Sequence, residues 1–285
     1  MSDLGDRTQN AEIAFFGGSF TAIDRGYMIS LLESVQPFID KFCGIRLSTR
    51  PDYIDDDILV LLKKYNVTSI ELGAQSMADE VLTFNQRGHS SDDVRKASEL
   101  IKSYGFNLGL QMMTGLYKSD FDKDRYTANE FVKLRPDCVR IYPTVVMKNT
   151  ELEKLYKSKV YIPYTLDESV ELCSELMTLF YDNNIDVIRV GLHYSDSLKS
   201  GDVAGNYHPA FKELCENRIF LNNFLKQTEG LDSKDVIVTV NPSSVSKFTG
   251  QNRKNLIELE NSGYRVKIEK DRSIPKYGLK VKDNR

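Results

Sequence analysis

Residues 13–20 read Ile13-Ala14-Phe15-Phe16-Gly17-Gly18-Ser19-Phe20, an apolar strand-like run that stops on two glycines and a small hydroxyl. Glycine weakens a strand interior, so paired glycines at its end mark a tight turn or a stretch of backbone that something approaches closely. Five more strand-like runs follow: GIRLS (44–48), SIELG (69–73), NLGLQMM (107–113), CVRIY (138–142) and DVIRVGL (186–192). Read as near-continuous apolar runs, the six suit strands covered on both faces.

Helical patterns separate them. Thr165-Leu166-Asp167-Glu168 is a capping box, and Val170, Cys173, Met177 and Phe180 then recur at spacings of three and four over residues 165–183. Residues 92–104 place Val94, Ala97, Ile101 and Tyr104 on one face and end before Gly105. Asp55-Asp56-Asp57 opens a third helix over 55–65, and Pro136 stops the one containing Phe131 and Val132. Alternating strands and helices predict a parallel sheet, as a barrel or a doubly wound fold. After residue 205 the rhythm changes to a helix (Pro209 to about Gln227), VIVTV (236–240), a helix over about 244–261 and YRVKIEK (264–270), a small appended βαβ unit. The expected division is therefore 1–205 and 206–285.

Composition sets bounds. At 285 residues, 28% charged and 41% apolar, the chain is long enough for a full core and ordinary for a soluble protein. No apolar run approaches the ~18 residues of a membrane span, and the N-terminus lacks a basic-then-apolar signal, so a cytoplasmic location is expected. Cys43, Cys138, Cys173 and Cys215 lie far apart, which excludes a disulfide framework or zinc-finger spacing and leaves no metal site to propose. Net charge is −3, but residues 247–285 hold eleven Lys/Arg against five Asp/Glu, which leaves −9 on the 246 residues before them. A basic tail behind an acidic body fits a solvated face or contact with nucleic acid.

In a parallel α/β sheet or barrel, ligands bind where strands end at their carboxyl side. The polar groups expected there are Gly17-Gly18-Ser19, Ser48-Thr49-Arg50-Pro51-Asp52, Gly73-Ala74-Gln75-Ser76, Gln111 and Tyr142-Pro143-Thr144. Adjacent glycines expose backbone for an ammonium, arginine pairs with a carboxylate, and neutral amides suit sugar hydroxyls. Gly17-Gly18 is not a phosphate-binding P-loop, because no Gly-Lys-Ser/Thr follows, and Gly18-Ser19-Phe20-Thr21 lacks the second glycine of a hydrolase elbow.

Taken together, FFGGSFTAI, RLSTRPDYID, IELGAQSM, NQRGHS and RIYPTVVMKNTELEKLY resemble the radical S-adenosylmethionine (SAM) superfamily over about residues 10–195, nearest to the Elongator catalytic subunit and the oxygen-independent coproporphyrinogen oxidases. The resemblance implies a partial (βα) barrel of the radical SAM type with its first βα unit missing, carrying the small C-terminal βαβ extension. It implies that Gly17, Gly18 and Ser19 hold the methionyl amine of SAM, with Ser19 standing where many members have an acid. Ser48 and Arg50 would help hold the polar groups of SAM. Gln75 and Gln111 would lie near the ribose, and Arg87 at the methionyl carboxylate. His89 is divided between a functional and a structural role.

Family members place Cys-x-x-x-Cys-x-x-Cys on the loop after their first strand, where it binds a [4Fe–4S] cluster. No such triplet occurs here, and FFGGSF begins fifteen residues in. The chain is therefore expected to be an N-terminally shortened piece of a radical SAM enzyme or a cluster-free descendant, inactive in radical chemistry by itself. The basic tail, with Tyr264 and Tyr277 interspersed, points to tRNA or a nucleotide-like substrate; a tetrapyrrole enzyme, a cluster-free SAM- or RNA-binding module, and a barrel lyase using His193 are the alternatives. Without a preceding unit, the strand carrying Phe15 and Phe16 becomes an exposed edge that invites self-association.

Overall fold

The computed structural model describes residues 5–192, 203–205, 207–231 and 233–284. His193 and the neighbouring Tyr194-Ser195-Asp196 lie outside the described residues. The chain forms two compact units, one of residues 1–163 and 179–190, the other of residues 164–178 and 191–285.

The first unit is built on six parallel strands: β1 (Glu12–Phe15), β2 (Gly44–Thr49), β3 (Val67–Gln75), β4 (Asn107–Thr114), β5 (Cys138–Pro143) and, after the short β6 (Val145–Met147), β7 (Asp186–Val190). Their order is β1-β2-β3-β4-β5-β7, with α1 (Arg25–Val35), α2 (Asp56–Lys64), α3 (Asp79–Phe84), α4 (Ser91–Ser103) and α5 (Phe121–Leu134) in the crossovers. The sheet curls into half a barrel. Side-chain contacts demonstrate the curl: Arg46 on β2 reaches Cys138 Sγ on β5 at 3.6 Å, although three strand spacings, about 14 Å on a flat sheet, separate those strands.

The strands alternate cleanly, which corrects their reading as continuous apolar runs. Ile45, Leu47, Ile70, Leu72, Leu108, Leu110, Val139 and Ile141 face the helices and are buried. The intervening Arg46, Ser48, Ser69, Glu71, Gln111 and Arg140 share the concave face, as a period of two requires. Gly109 sits among them because a Cβ there would meet Glu71 Cγ at 2.6 Å and Cys138 Sγ at 3.3 Å.

Local signals explain the helices. Asp55 accepts from Ile58 N, Asp120 from Lys123 N, and Ser90 forms a capping box with Asp93. After α6 (Glu151–Lys157), the Thr165–Glu168 box opens α7 (Leu166–Asp182), whose Val170, Cys173, Met177 and Phe180 are buried. No helix among the described residues is long and apolar enough to cross a membrane.

The second unit contains the short β8 (Val203–Gly205) and a three-stranded sheet, ordered β10 (Arg265–Lys270), β9 (Asp235–Val240), β11 (Leu279–Asp283). β9 and β10 are parallel, the expected βαβ pair, and β11 adds an antiparallel strand that the sequence reading missed. The helix Phe211–Thr228 buries Phe220 and Phe224 in this unit. The single helix expected over 244–261 is two, Val245–Thr249 and Lys254–Asn261. Gly250, Asn252 and Arg253 all take positive φ between them, and Asn255 Nδ2 ties the break to the Phe248 carbonyl.

Gly109→Ala should destabilise the protein by about 1–3 kcal/mol through overpacking against Glu71. Gly18→Ala, where nothing lies within 4 Å of the added carbon, should stay within about 0.5 kcal/mol. Urea midpoints for the two variants check both expectations.

Candidate functional site

The concave face is polar, and its groups are paired. Glu71 is fully buried and accepts two hydrogen bonds from Arg140, Nε at 2.6 Å and Nη2 at 2.9 Å. Arg46 Nη1 reaches the same carboxylate at 3.2 Å, and its Nε donates to Glu12 at 2.6 Å. Gln111 Nε2 donates to Glu71 at 2.8 Å and to Ser48 Oγ at 3.2 Å. Burial opposes the charge of Glu12, yet hydrogen bonds from Ser69 and Arg46 outweigh it and hold its pKa below the ordinary carboxylate value. Burial pushes the Cys138 thiol up to about 11.

The carboxyl ends of the strands form a second layer with a different electrostatic character. Arg50, just past β2, is clamped by Asp52 at 2.9 and 2.6 Å. Arg87, between α3 and α4, is largely buried, and its Nε has no partner. Burial lowers its pKa and the Arg50 charge lowers it further, with Asp52 pulling the other way. His89 lies 3.1 Å from the Ala74 carbonyl through Nε2. A carbonyl only accepts, so that nitrogen carries the proton and Nδ1 is left as a bare acceptor, buried and unpartnered. Burial and the nearby Arg87 push His89 below the ordinary histidine value, despite its bond to Ala74.

The predicted residues fall into three groups. Arg50 and Arg87 are brought together, joined by Asp52 and His89. Ser48 and Gln111 meet inside the half-barrel, below the strand ends. Gln75 ends β3 at a bulge, with left-handed backbone (φ 65°), and its amide folds back to within 2.9 Å of where a Gly73 Cβ would sit. Gly17, Gly18 and Ser19 follow β1; Gly17 has φ 113°, and a Cβ at either glycine would meet open space. Two residues on, Thr21 Oγ1 bonds Thr49 Oγ1 at 2.6 Å, fixing this turn to the end of β2. The sequence reading missed Glu71, Arg46, Arg140 and Glu12. Their signal was the alternation Ile-Arg-Leu-Ser and Ser-Ile-Glu-Leu, where charge every second residue inside a strand marks a polar interior.

This rim suits an anionic group and a hydrogen-bond donor: Arg87 offers an unpaired N–H, and His89 an unpaired lone pair. It does not suit an iron–sulfur cluster. Cys43 and Cys138 precede or begin β2 and β5 at the opposite strand ends, Cys173 and Cys215 belong to the second unit, and no three His, Cys, Asp or Glu among the described residues gather to hold a metal ion.

Comparison with known proteins gives the family. Residues 3–127 match the Radical SAM superfamily and residues 136–220 the Radical_SAM C-terminal domain. The chain belongs to the radical SAM superfamily. It is 30% identical over 196 residues to a tRNA uridine(34) acetyltransferase of Methanocaldococcus jannaschii, covering 61% of this chain and 36% of that protein. Elongator complex protein 3 of Homo sapiens is 30% identical over 201 residues, 63% of this chain and 37% of that protein. The chain thus spans well under half the length of these curated relatives. Among solved structures, the archaeal Methanocaldococcus infernus Elp3 with an N-terminus deletion superposes with a TM-score of 0.62 at 24% identity, covering 73% of this chain and 53% of that one. This likeness shows the radical SAM half-barrel as the shared fold. Membership implies SAM and a [4Fe–4S] cluster as the superfamily's cofactors.

The lowered pKa of His89 fixes a pH dependence. The unfolded chain takes up a proton near pH ~6.5 while the folded chain resists it. The stability carried by His89 is therefore complete above about pH 6.5 and is lost as pH falls through its folded value. Glu12 adds a second loss below about pH 4.3, again because the folded value is depressed. His89→Gln, which keeps a donor for Ala74, should flatten the upper step of a urea-midpoint profile, the one that begins below about pH 6.5, and leave the lower one in place.

Proposed function

We propose that this chain binds SAM across the open end of the half-barrel and serves a reaction on tRNA or a nucleotide-like substrate. The observation that carries the proposal is Arg87, a largely buried guanidinium with an unpaired Nε, set beside Arg50. A protein keeps such a group when a ligand supplies the missing anion.

SAM, when bound, brings an amino-acid end, a sulfonium and an adenosine to the site. Arg87 would donate to its carboxylate, and the open backbone of Gly17 and Gly18, with Ser19, would receive its ammonium. Arg50, paired with Asp52, lies against Gly88 beside Arg87. Gln75, Ser48 and Gln111 would offer polar groups to the ribose. His89 Nδ1 accepts from a ligand hydroxyl or amine.

Two features support a nucleic-acid substrate. The curated relative in Methanocaldococcus jannaschii is named as acting on tRNA uridine, and the last 39 residues of this chain carry six more basic than acidic residues. Part of that tail is committed internally: Lys247 pairs with Glu216 at 3.1 Å, Tyr277 bonds the same carboxylate, and Tyr264 packs edge-on against Phe224. Phosphate contact falls to the exposed lysines and arginines such as Arg265 and Lys280. A tetrapyrrole polycarboxylate fits less well, because Arg46 and Arg140 are already paired with Glu12 and Glu71. A cytoplasmic location, and pairing of two copies through the β1 edge, belong to the same proposal.

Isothermal titration should detect SAM binding to this polypeptide, with affinity reduced about 10- to 100-fold in Arg87→Ala, the worth of a charge-assisted hydrogen bond. Unchanged affinity in that variant would remove the basis of the assignment. Anaerobic treatment of the same polypeptide with iron and sulfide should leave it without a stoichiometric [4Fe–4S] absorption, as the dispersed cysteines require.

A further inference from the structure

Phe16 is the first residue past the end of β1. It is 51% exposed, yet it lies on the concave side, where it meets Arg140. One face of its ring is covered by the Arg140 guanidinium, whose Cζ is 4.9 Å from the ring centroid. That guanidinium cannot swing away, because Glu71 holds it through two hydrogen bonds. The ring is thus backed by a fixed cation on one side and open to solvent over about half its surface.

Two further residues follow Arg140, one on β5 and one just past its end. Tyr142 follows Arg140 two residues on along β5, on the concave face. Thr144, two residues further, is 3% exposed, and its hydroxyl has no partner. A buried hydroxyl left unpaired carries a desolvation penalty that a ligand group would relieve.

We propose that Phe16, Arg140, Tyr142 and Thr144 form a subsite for one unstacked base of an RNA substrate, the base stacking on the free face of Phe16 and meeting the Thr144 hydroxyl with its edge. The assignment rests on the nucleic-acid reading above and adds to it the residues that receive the base. Aromatic rings backed by arginine are how proteins hold splayed-out bases, since every base presents a π-face. A single hydroxyl, able to donate or accept, suits either kind of base edge.

The test uses the full chain and an unstructured RNA oligonucleotide carrying one 2-aminopurine, whose fluorescence is quenched when it stacks. Wild-type protein should bind and quench it. Phe16→Ala should lose the quenching and bind about ten-fold more weakly, while Phe16→Trp should retain both. Thr144→Val should weaken binding about three-fold or more. Thermal melts establish that the variants are folded, and SAM titration of the same samples should give unchanged affinity.

Quenching that survives in Phe16→Ala, or a wild-type chain that does not bind the oligonucleotide, would overturn the assignment. So would a loss of SAM affinity in Phe16→Ala matching the loss for RNA, since the ring would then serve the cofactor's adenine. If SAM fails to bind while the oligonucleotide is still quenched through Phe16, the SAM assignment falls and this one stands.

Discussion

Glu71 is withdrawn from water on the third of six parallel strands, and two arginines and an amide from three other strands close on it. A carboxylate so placed loses its hydration, and only the converging donors offset that loss. Arg46 comes from β2, Gln111 from β4 and Arg140 from β5, so one buried acid joins strands that a flat sheet would hold far apart. The curl of the sheet and the pairing of these charges are one fact seen twice. Gly109 is the geometric condition for it, because the Glu71 side chain passes where any other residue would place its Cβ.

The two polar layers divide the labour. Within the half-barrel each cation has its acid, so the interior holds shape and has little charge to spare. At the strand ends the balance is left open: Arg87 has an unsatisfied nitrogen, and His89 presents a bare lone pair. Structures tolerate such departures from full pairing where a ligand completes them. The deep layer also orients the outer one, because the guanidinium that Glu71 fixes is the one beneath Phe16.

Much of the architecture was legible in the residues. Asp55 and the Thr165–Glu168 box announced their helices, and the six strands of the first unit's parallel sheet follow the runs around IAFF, GIRLS, SIELG, NLGLQMM, CVRIY and DVIRVGL. What escaped was the second face. In Ile45-Arg46-Leu47-Ser48 the polar residues line the concave side, a role that reading the run as near-continuously apolar hides. β11 was missed because Leu279-Lys280-Val281-Lys282 alternates within a lysine-rich stretch that reads as solvated tail. The break at 250–253 rests on left-handed backbone at Asn252 and Arg253, and an arginine carries no propensity signal for that conformation. The meeting of Arg50 with Arg87 depends on tertiary placement, and spacing along the chain does not encode it.

The range of separations within the Glu71 cluster bears on how the chain reaches its native state. Glu71 and Arg140 lie 69 positions apart, and Arg46 and Cys138 lie 92 apart. An ensemble in which β2 and β3 have paired but β5 has not docked leaves the acid desolvated with half its donors absent. Such a partial structure gains little, so the half-barrel is expected to form in one concerted, late step. The large loop-closure entropy then sits in the rate-limiting barrier, and acquisition of the native sheet is slow.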